Sequence, residues 1–117
     1  MLLAIDIGNT NISFGIFQGK RVWRRFAIPT CQYSRKRLSG ALGKISISDA
    51  VICSVVPALT LALKKDLTRL LGRKPYIIGK QIRVPIKNLY RKPAQVGQDR
   101  LVNAFAAVVF YGVPCIV

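Results

Sequence analysis

The chain has 117 residues, 51% of them apolar, with a net charge of +15 and no histidine. That length holds one core at most, and the apolar fraction excludes disordered and low-complexity classes. Without histidine or glutamate, Ser-His-Asp and Cys-His chemistry is excluded, and any carboxylate base is Asp6, Asp49, Asp66 or Asp99.

Cys31, Cys53 and Cys115 are odd in number, far apart and never in a C-x-x-C pair. A zinc site or disulfide framework is therefore not expected, and reduced thiols are. No apolar run reaches the roughly 18 residues that cross a bilayer. The N-terminus lacks the basic segment and small-residue cleavage site of a secretory leader, so a cytoplasmic location without a membrane partner is expected. All 19 Lys and Arg fall between Lys20 and Arg100. They are spread over stretches that read as solvated faces and loops, without regular aromatic interleaving. A generic basic surface is the preferred reading, and a nucleic-acid face is the alternative.

In chain order, residues 2–7 (LLAIDI) read as a buried strand and 12–17 (ISFGIF) as a second one after a GNTN turn. KRVWRRFAI at 20–28 alternates well enough for a third, which makes an antiparallel meander. The intervening G-I-F-Q-G-K-R, 15–21, is not a P-loop. It has three residues between its glycines instead of four, and Arg21 stands where a Mg²⁺-binding hydroxyl is required. Residues 34–43 predict a short helix capped by Ser34 and ended near Gly43. DAVICSVV, 49–56, is a continuous apolar run of the kind found in a central strand covered on both faces. Pro57 opens a helix to Gly72 with Leu59, Leu63, Leu67 and Leu70 on one face. A short strand at 75–79 leads into a long basic connection from Lys80 to Gln95, of a length that is usually functional or mobile. Residues 97–112 predict a helix apolar nearly all round after its first turn, which needs cover on several sides. VPCIV, 113–117, reads as the opening of another strand. The sum is an α/β fold with a mixed sheet and flanking helices.

Two stretches carry chemistry. In D-I-G-N-T-N, 6–11, Gly8 lets the backbone turn with its amides exposed, and Thr10 and Asn11 add side-chain donors. Asp6 at the strand end is placed to direct a divalent ion beside phosphates. A plain polar hairpin turn accounts for the same residues. In Y-R-K-P-A-Q-V-G-Q-D-R, 90–100, Gly97 precedes the last helix, and Asp99 and Arg100 fall in its first turn. Asp99 is either a carboxylate favoured there by the helix dipole or the acceptor of a substrate hydroxyl proton, with Arg100 clamping an anionic group.

D-x-G-N-T-N, then S-V-V-P at 54–57, then Tyr90 with P-x-Q-V-G-x-D-R at 93–100 occur in this order. Together they closely resemble the N-terminal half of type III pantothenate kinase, in the actin/hexokinase/Hsp70 superfamily, and the resemblance covers essentially the whole chain. It implies a ribonuclease H-like, actin-like ATPase domain over residues 1–117. The implied activity is ATP-dependent phosphorylation of pantothenate to 4′-phosphopantothenate, the first step of coenzyme A synthesis, using a divalent cation such as Mg²⁺ and a monovalent one, K⁺ or NH₄⁺, in a homodimer. It implies that Asp6, Ile7, Gly8, Asn9, Thr10, Asn11, Ile12 and Ser13 form the first ATP-phosphate loop, with Asp6 directing the metal indirectly. Tyr90, Gly97, Gln98, Asp99 and Arg100 would bind pantothenate, Asp99 accepting its proton. The apolar last helix would form the dimer. A second domain, with another D-x-G-T loop and the monovalent-cation ligand, is expected after Val117, and the chain alone is expected to be inactive or nearly so. The alternative function is a non-catalytic, basic nucleic-acid-binding or regulatory module on the same fold.

Overall fold

A computed structural model describes all residues, Met1 to Val117. The three predicted N-terminal strands form β1 (Leu2–Ile7), β2 (Asn11–Gln18) and β3 (Arg21–Pro29), and they pair antiparallel as expected. The β2–β3 connection is a two-residue hairpin turn at Gly19–Lys20. Gly19 supplies the positive φ (58°) that such a turn requires. The false P-loop is thus a hairpin. A short 3₁₀ turn (Thr30–Gln32) leads to α1 (Arg35–Leu42). The Ser34 hydroxyl caps α1 by accepting from the Arg37 amide at 3.2 Å.

The chain then enters β4 (Asp49–Ser54), crosses through α2 (Pro57–Leu71) and returns in β5 (Tyr76–Ile77). Both pairings, β1 with β4 and β4 with β5, are parallel, giving one mixed sheet in the order β3-β2-β1-β4-β5. β4 stops two residues short of its expected end. The Ser54 hydroxyl accepts from the Val56 amide at 3.0 Å and bends the chain into α2. β5 is only two residues long, because Gly79 (φ 85°) turns the chain back on itself, with its amide on the Ile82 carbonyl at 2.7 Å.

Alternation along the strands decides the core. Leu3, Ile5 and Ile7 of β1, with Ile12, Phe14 and Ile16 of β2, and Ala50 and Ile52 of β4, point to one face and are buried there under α1 (Leu38, Leu42) and α2 (Leu63, Leu67). The α2 stripe ends on Leu71, which packs against the core. Leu70 stands 39% exposed, so the last step of that stripe was assigned one residue early.

The opposite face carries Ala4, Asp6, Ser13, Gly15, Phe17, Val51 and Cys53. They line an apolar recess of about 360 Å³ that Val102 of α3 (Gln98–Tyr111) overhangs. No residue beyond Ile77 is buried. The expectation that the last helix is covered on several sides is therefore not met within this chain, where Val109, Phe110 and Tyr111 all stand in solvent. Residues 113–117, expected to open another strand, form none. No helix is long and apolar enough to cross a membrane.

Candidate functional site

The β1–β2 turn is the first half of the site. Ile7 and Ile12, fully buried, close the last rung of the hairpin and leave Gly8, Asn9 and Thr10 outside it. The Gly8 amide returns to the Asn11 carbonyl at 2.9 Å, and a Cβ on Gly8 would lie 3.1 Å from that oxygen, so the turn is as tight as it is because residue 8 has no side chain. The amides of Asn9 and Thr10 have no acceptor within the chain, nor do the side chains of Asn9, Thr10 and Asn11 make a hydrogen bond. Unpaired backbone N–H groups turned to solvent are what an anion needs. Asp6 lies opposite Ser13 on β2 and opposite Cys53 on β4, on the recessed face of the sheet.

The second half is the entry to α3. Gly97 is its N-cap, with an ordinary φ of −60°, so this glycine answers to space and not to backbone freedom. A Cβ there would collide with an Asp99 carboxylate oxygen and come within 3.8 Å of the Val55 side chain. The Asp99 carboxylate is thus folded back over the start of its own helix. Upstream, the Asn88 side chain holds the approach in shape. Its oxygen accepts from the Tyr90 amide at 3.1 Å, and its nitrogen donates to the Pro93 carbonyl at 3.2 Å. Asn9, Val55, Asn88, Tyr90, Gln95, Gly97, Asp99 and Arg100 line one open cleft of about 630 Å³.

The two halves meet electrostatically. The apolar surroundings raise Asp6 above its ordinary value of 3.8, and the Asp99 carboxylate raises it further. Burial pushes the Cys53 thiol up to about 11, with smaller contributions from Asp6 and then Asp99. Two of the four acidic side chains, 93 positions apart in sequence, therefore share one field on the same side of the sheet.

Of the residues read from the sequence, Asn9, Tyr90, Gly97, Asp99 and Arg100 lie in one cleft, with Asp6 beside it. Thr10, Asn11 and Ser13 are exposed on the turn and on β2 outside that cleft, and Ile7 and Ile12 face the core. Gln98 turns away. Its side chain packs on Gly79, where a Cβ would sit 2.8 Å from Cδ, and it lines a separate cavity of about 390 Å³ with Ser54, Thr60 and Lys64. Sequence reasoning passed over Asn88, whose signal was an Asn two residues before Tyr90 in a loop. It also passed over Thr30, whose hydroxyl donates to the Gly8 carbonyl at 2.8 Å and whose amide donates to Thr10 at 2.9 Å.

A family model described as type III pantothenate kinase matches residues 2–117. A type III pantothenate kinase of Persephonella marina is 43% identical over 99% of this chain and 49% of its own length. Proteins of the same name from Agathobacter rectalis and Moorella thermoacetica are 37% and 35% identical over the whole chain, covering 49% and 50% of their own lengths. The chain thus spans about half the length of the curated relatives it matches. With the family model matched over residues 2–117 and a mixed sheet consistent with the fold that the resemblance implied, the chain belongs to the type III pantothenate kinase family.

Proposed function

We propose that this chain supplies the pantothenate cleft and the first phosphate loop of an ATP-dependent kinase that transfers a phosphoryl group to the primary hydroxyl of pantothenate, forming 4′-phosphopantothenate for coenzyme A synthesis. The observation that carries the reading is the convergence of Asn9, Tyr90, Asp99 and Arg100 on one cleft from distant parts of the chain, with Asp6 in the adjoining recess feeling the Asp99 charge.

In this reading, Arg100 and Tyr90 hold the carboxylate end of pantothenate, leaving its hydroxyl toward Asp99. Asp99 accepts the hydroxyl proton as the bond to phosphorus forms. A weak base suffices, because the loose transition state asks chiefly for an oriented nucleophile. The free amides of Asn9 and Thr10 cradle the transferred phosphate. Asp6 directs a divalent cation. The Asp6 carboxylate, coupled to Asp99, is the kind of hard oxygen donor such an ion would take, since Mg²⁺ typically keeps several waters and binds one or two carboxylates plus phosphate oxygens. When bound, the cation neutralises charge developing on the phosphoryl oxygens.

A second domain beyond residue 117 completes the ATP site and adds the K⁺ or NH₄⁺ ligand, and the exposed apolar end of α3 forms the homodimer contact. The isolated chain accordingly turns over no pantothenate above background. The test is to join it to the C-terminal half of the Persephonella marina relative. The joined enzyme is expected to produce phosphopantothenate, and Asp99→Asn is expected to lower kcat by about 10²–10⁴ with no loss of melting temperature. Turnover that survives that substitution would remove Asp99 from its role.

A further inference from the structure

Thr30 stands outside every motif, yet it is the residue that grips the phosphate loop from behind. β3 ends at Pro29, paired with Asn11, and proline has no N–H with which to extend the ladder. The next residue takes over. The Thr30 amide donates to the Thr10 carbonyl at 2.9 Å, and its hydroxyl donates to the Gly8 carbonyl at 2.8 Å. These bonds engage two of the three turn residues, the first and the last, while Asn9 stands free between them.

The grip is itself anchored. Thr30 opens the 3₁₀ turn, and the Tyr33 amide closes it on the Thr30 carbonyl at 3.4 Å. The Tyr33 hydroxyl then donates to an Asp66 carboxylate oxygen of α2 at 2.9 Å. Burial, with that carboxylate next, holds the Tyr33 hydroxyl protonated well above the ordinary phenol range, so the donor is present at every physiological pH. Through Tyr33 the loop is referenced to the helix that lies on the buried core, and does not hang from its two strands alone.

The Gly8 carbonyl and the Asn9 N–H belong to one trans peptide plane, so a Gly8 carbonyl turned back toward the Thr30 hydroxyl turns the Asn9 N–H the other way. The two amides left without a partner are those of Asn9 and Thr10. We propose that Thr30 is a positioning residue for nucleotide phosphate. By holding the Gly8 carbonyl through its hydroxyl, it fixes the direction in which the Asn9 amide is offered, and by tying the Thr10 carbonyl it pins the far end of the turn that carries the Thr10 amide. This rests on the reading of residues 6–13 as a phosphate loop.

The experiment titrates the full 117-residue chain, ¹⁵N-labelled, with inorganic tripolyphosphate plus Mg²⁺ and separately with pantothenate, for wild type, Thr30→Val and Thr30→Ser. Valine matches threonine in shape and keeps the backbone bond to Thr10, and serine keeps the hydroxyl. The expected result is that Thr30→Val weakens tripolyphosphate about tenfold at the Asn9 and Thr10 resonances. Pantothenate affinity at Tyr90 and Arg100 stays within about twofold, and Thr30→Ser restores tripolyphosphate to near wild type. These fold-changes correspond to losing one oriented hydrogen bond. Wild-type affinity in Thr30→Val, an equal loss of both ligands, or failure of serine to rescue would each overturn the positioning role while leaving the phosphate-loop reading in place. A wild-type chain whose Asn9 and Thr10 resonances ignore tripolyphosphate would overturn the loop reading and the proposal with it.

Discussion

Asp6 pays for its placement in the unliganded chain. Its raised value means that the folded state holds the Asp6 proton more tightly than the unfolded state does. Folding therefore takes up protons over this window. The contribution from Asp6 is greatest below its ordinary value of 3.8 and declines as pH rises through the raised one. Asp6→Asn removes both the desolvated charge and its repulsion with Asp99. The expected outcome is a higher melting temperature than wild type at pH 7, a difference that closes as the pH is brought below the ordinary Asp range, and weaker Mg²⁺-dependent phosphate binding. A thermal series in pH with and without Mg²⁺ checks all three. Gly97 makes the companion case. Gly97→Ala forces the Asp99 carboxylate to move, because that carboxylate occupies the space a Cβ would take. Pantothenate affinity and turnover of the joined enzyme are expected to fall about 10-fold or more, with little loss of stability, since φ at residue 97 suits alanine. A functional group folded over a glycine was not legible from G-Q-D-R alone. The letters gave the position of Asp99, and only the helix entry gave its direction.

At the scale of elements, what was legible followed from periodicity and caps. The α2 face was readable because Leu63 and Leu67 repeat at the helical spacing, and both are fully buried. Leu63→Ala is expected to cost about 2–5 kcal/mol in denaturant unfolding, the range for emptying a well-packed leucine site. The same substitution at Leu61, on the solvent side, is expected to cost under ~0.5 kcal/mol. What escaped reading was set by bonds that leave no period in the sequence. The Ser54 hydroxyl that ends β4, the turn at Gly79 that curtails β5, and the side chains of Thr30 and Asn88 all work on backbone groups of loops. α3 is a different case. Its apolar pattern called for cover on several sides, and the chain itself supplies little, leaving Phe110 77% exposed. Phe110→Asp is expected to leave the melt of the sheet and α1–α2 layer intact while lowering self-association of the joined enzyme, read by sedimentation. An unchanged assembly state would contradict the proposed role of α3 in self-association.

For the whole molecule, the balance between a solid front and a thinly supported back organises the account. Residues 1–77 contain every buried side chain, whereas residues 78–117 bring Tyr90, Asp99 and Arg100 to the rim from a surface-lying arm and helix. The net charge of +15 is met by one ion pair, Arg73 with Asp49 at 3.1 Å, and both partners are well exposed. Such a pair contributes about 1 kcal/mol at most. The remaining basic groups have no carboxylate partner, and a net charge of that sign attracts anions in general. They also leave room for the alternative of a nucleic-acid-binding module, which predicts tight binding to duplex DNA with a steep salt slope. The kinase reading expects only weak binding that disappears at about 0.2 M salt. One cleft joins the β1–β2 turn to the start of α3, and pantothenate is its proposed ligand. The most direct measurement is an amide-resonance titration of the 117-residue chain with pantothenate, alone and after addition of Mg²⁺ and ATP. The account predicts pantothenate shifts concentrated at Tyr90 and Gly97–Arg100, lost in Arg100→Ala, with ATP shifts added at Gly8–Asn11. Pantothenate shifts that fall elsewhere, or that survive Arg100→Ala unchanged, would contradict it.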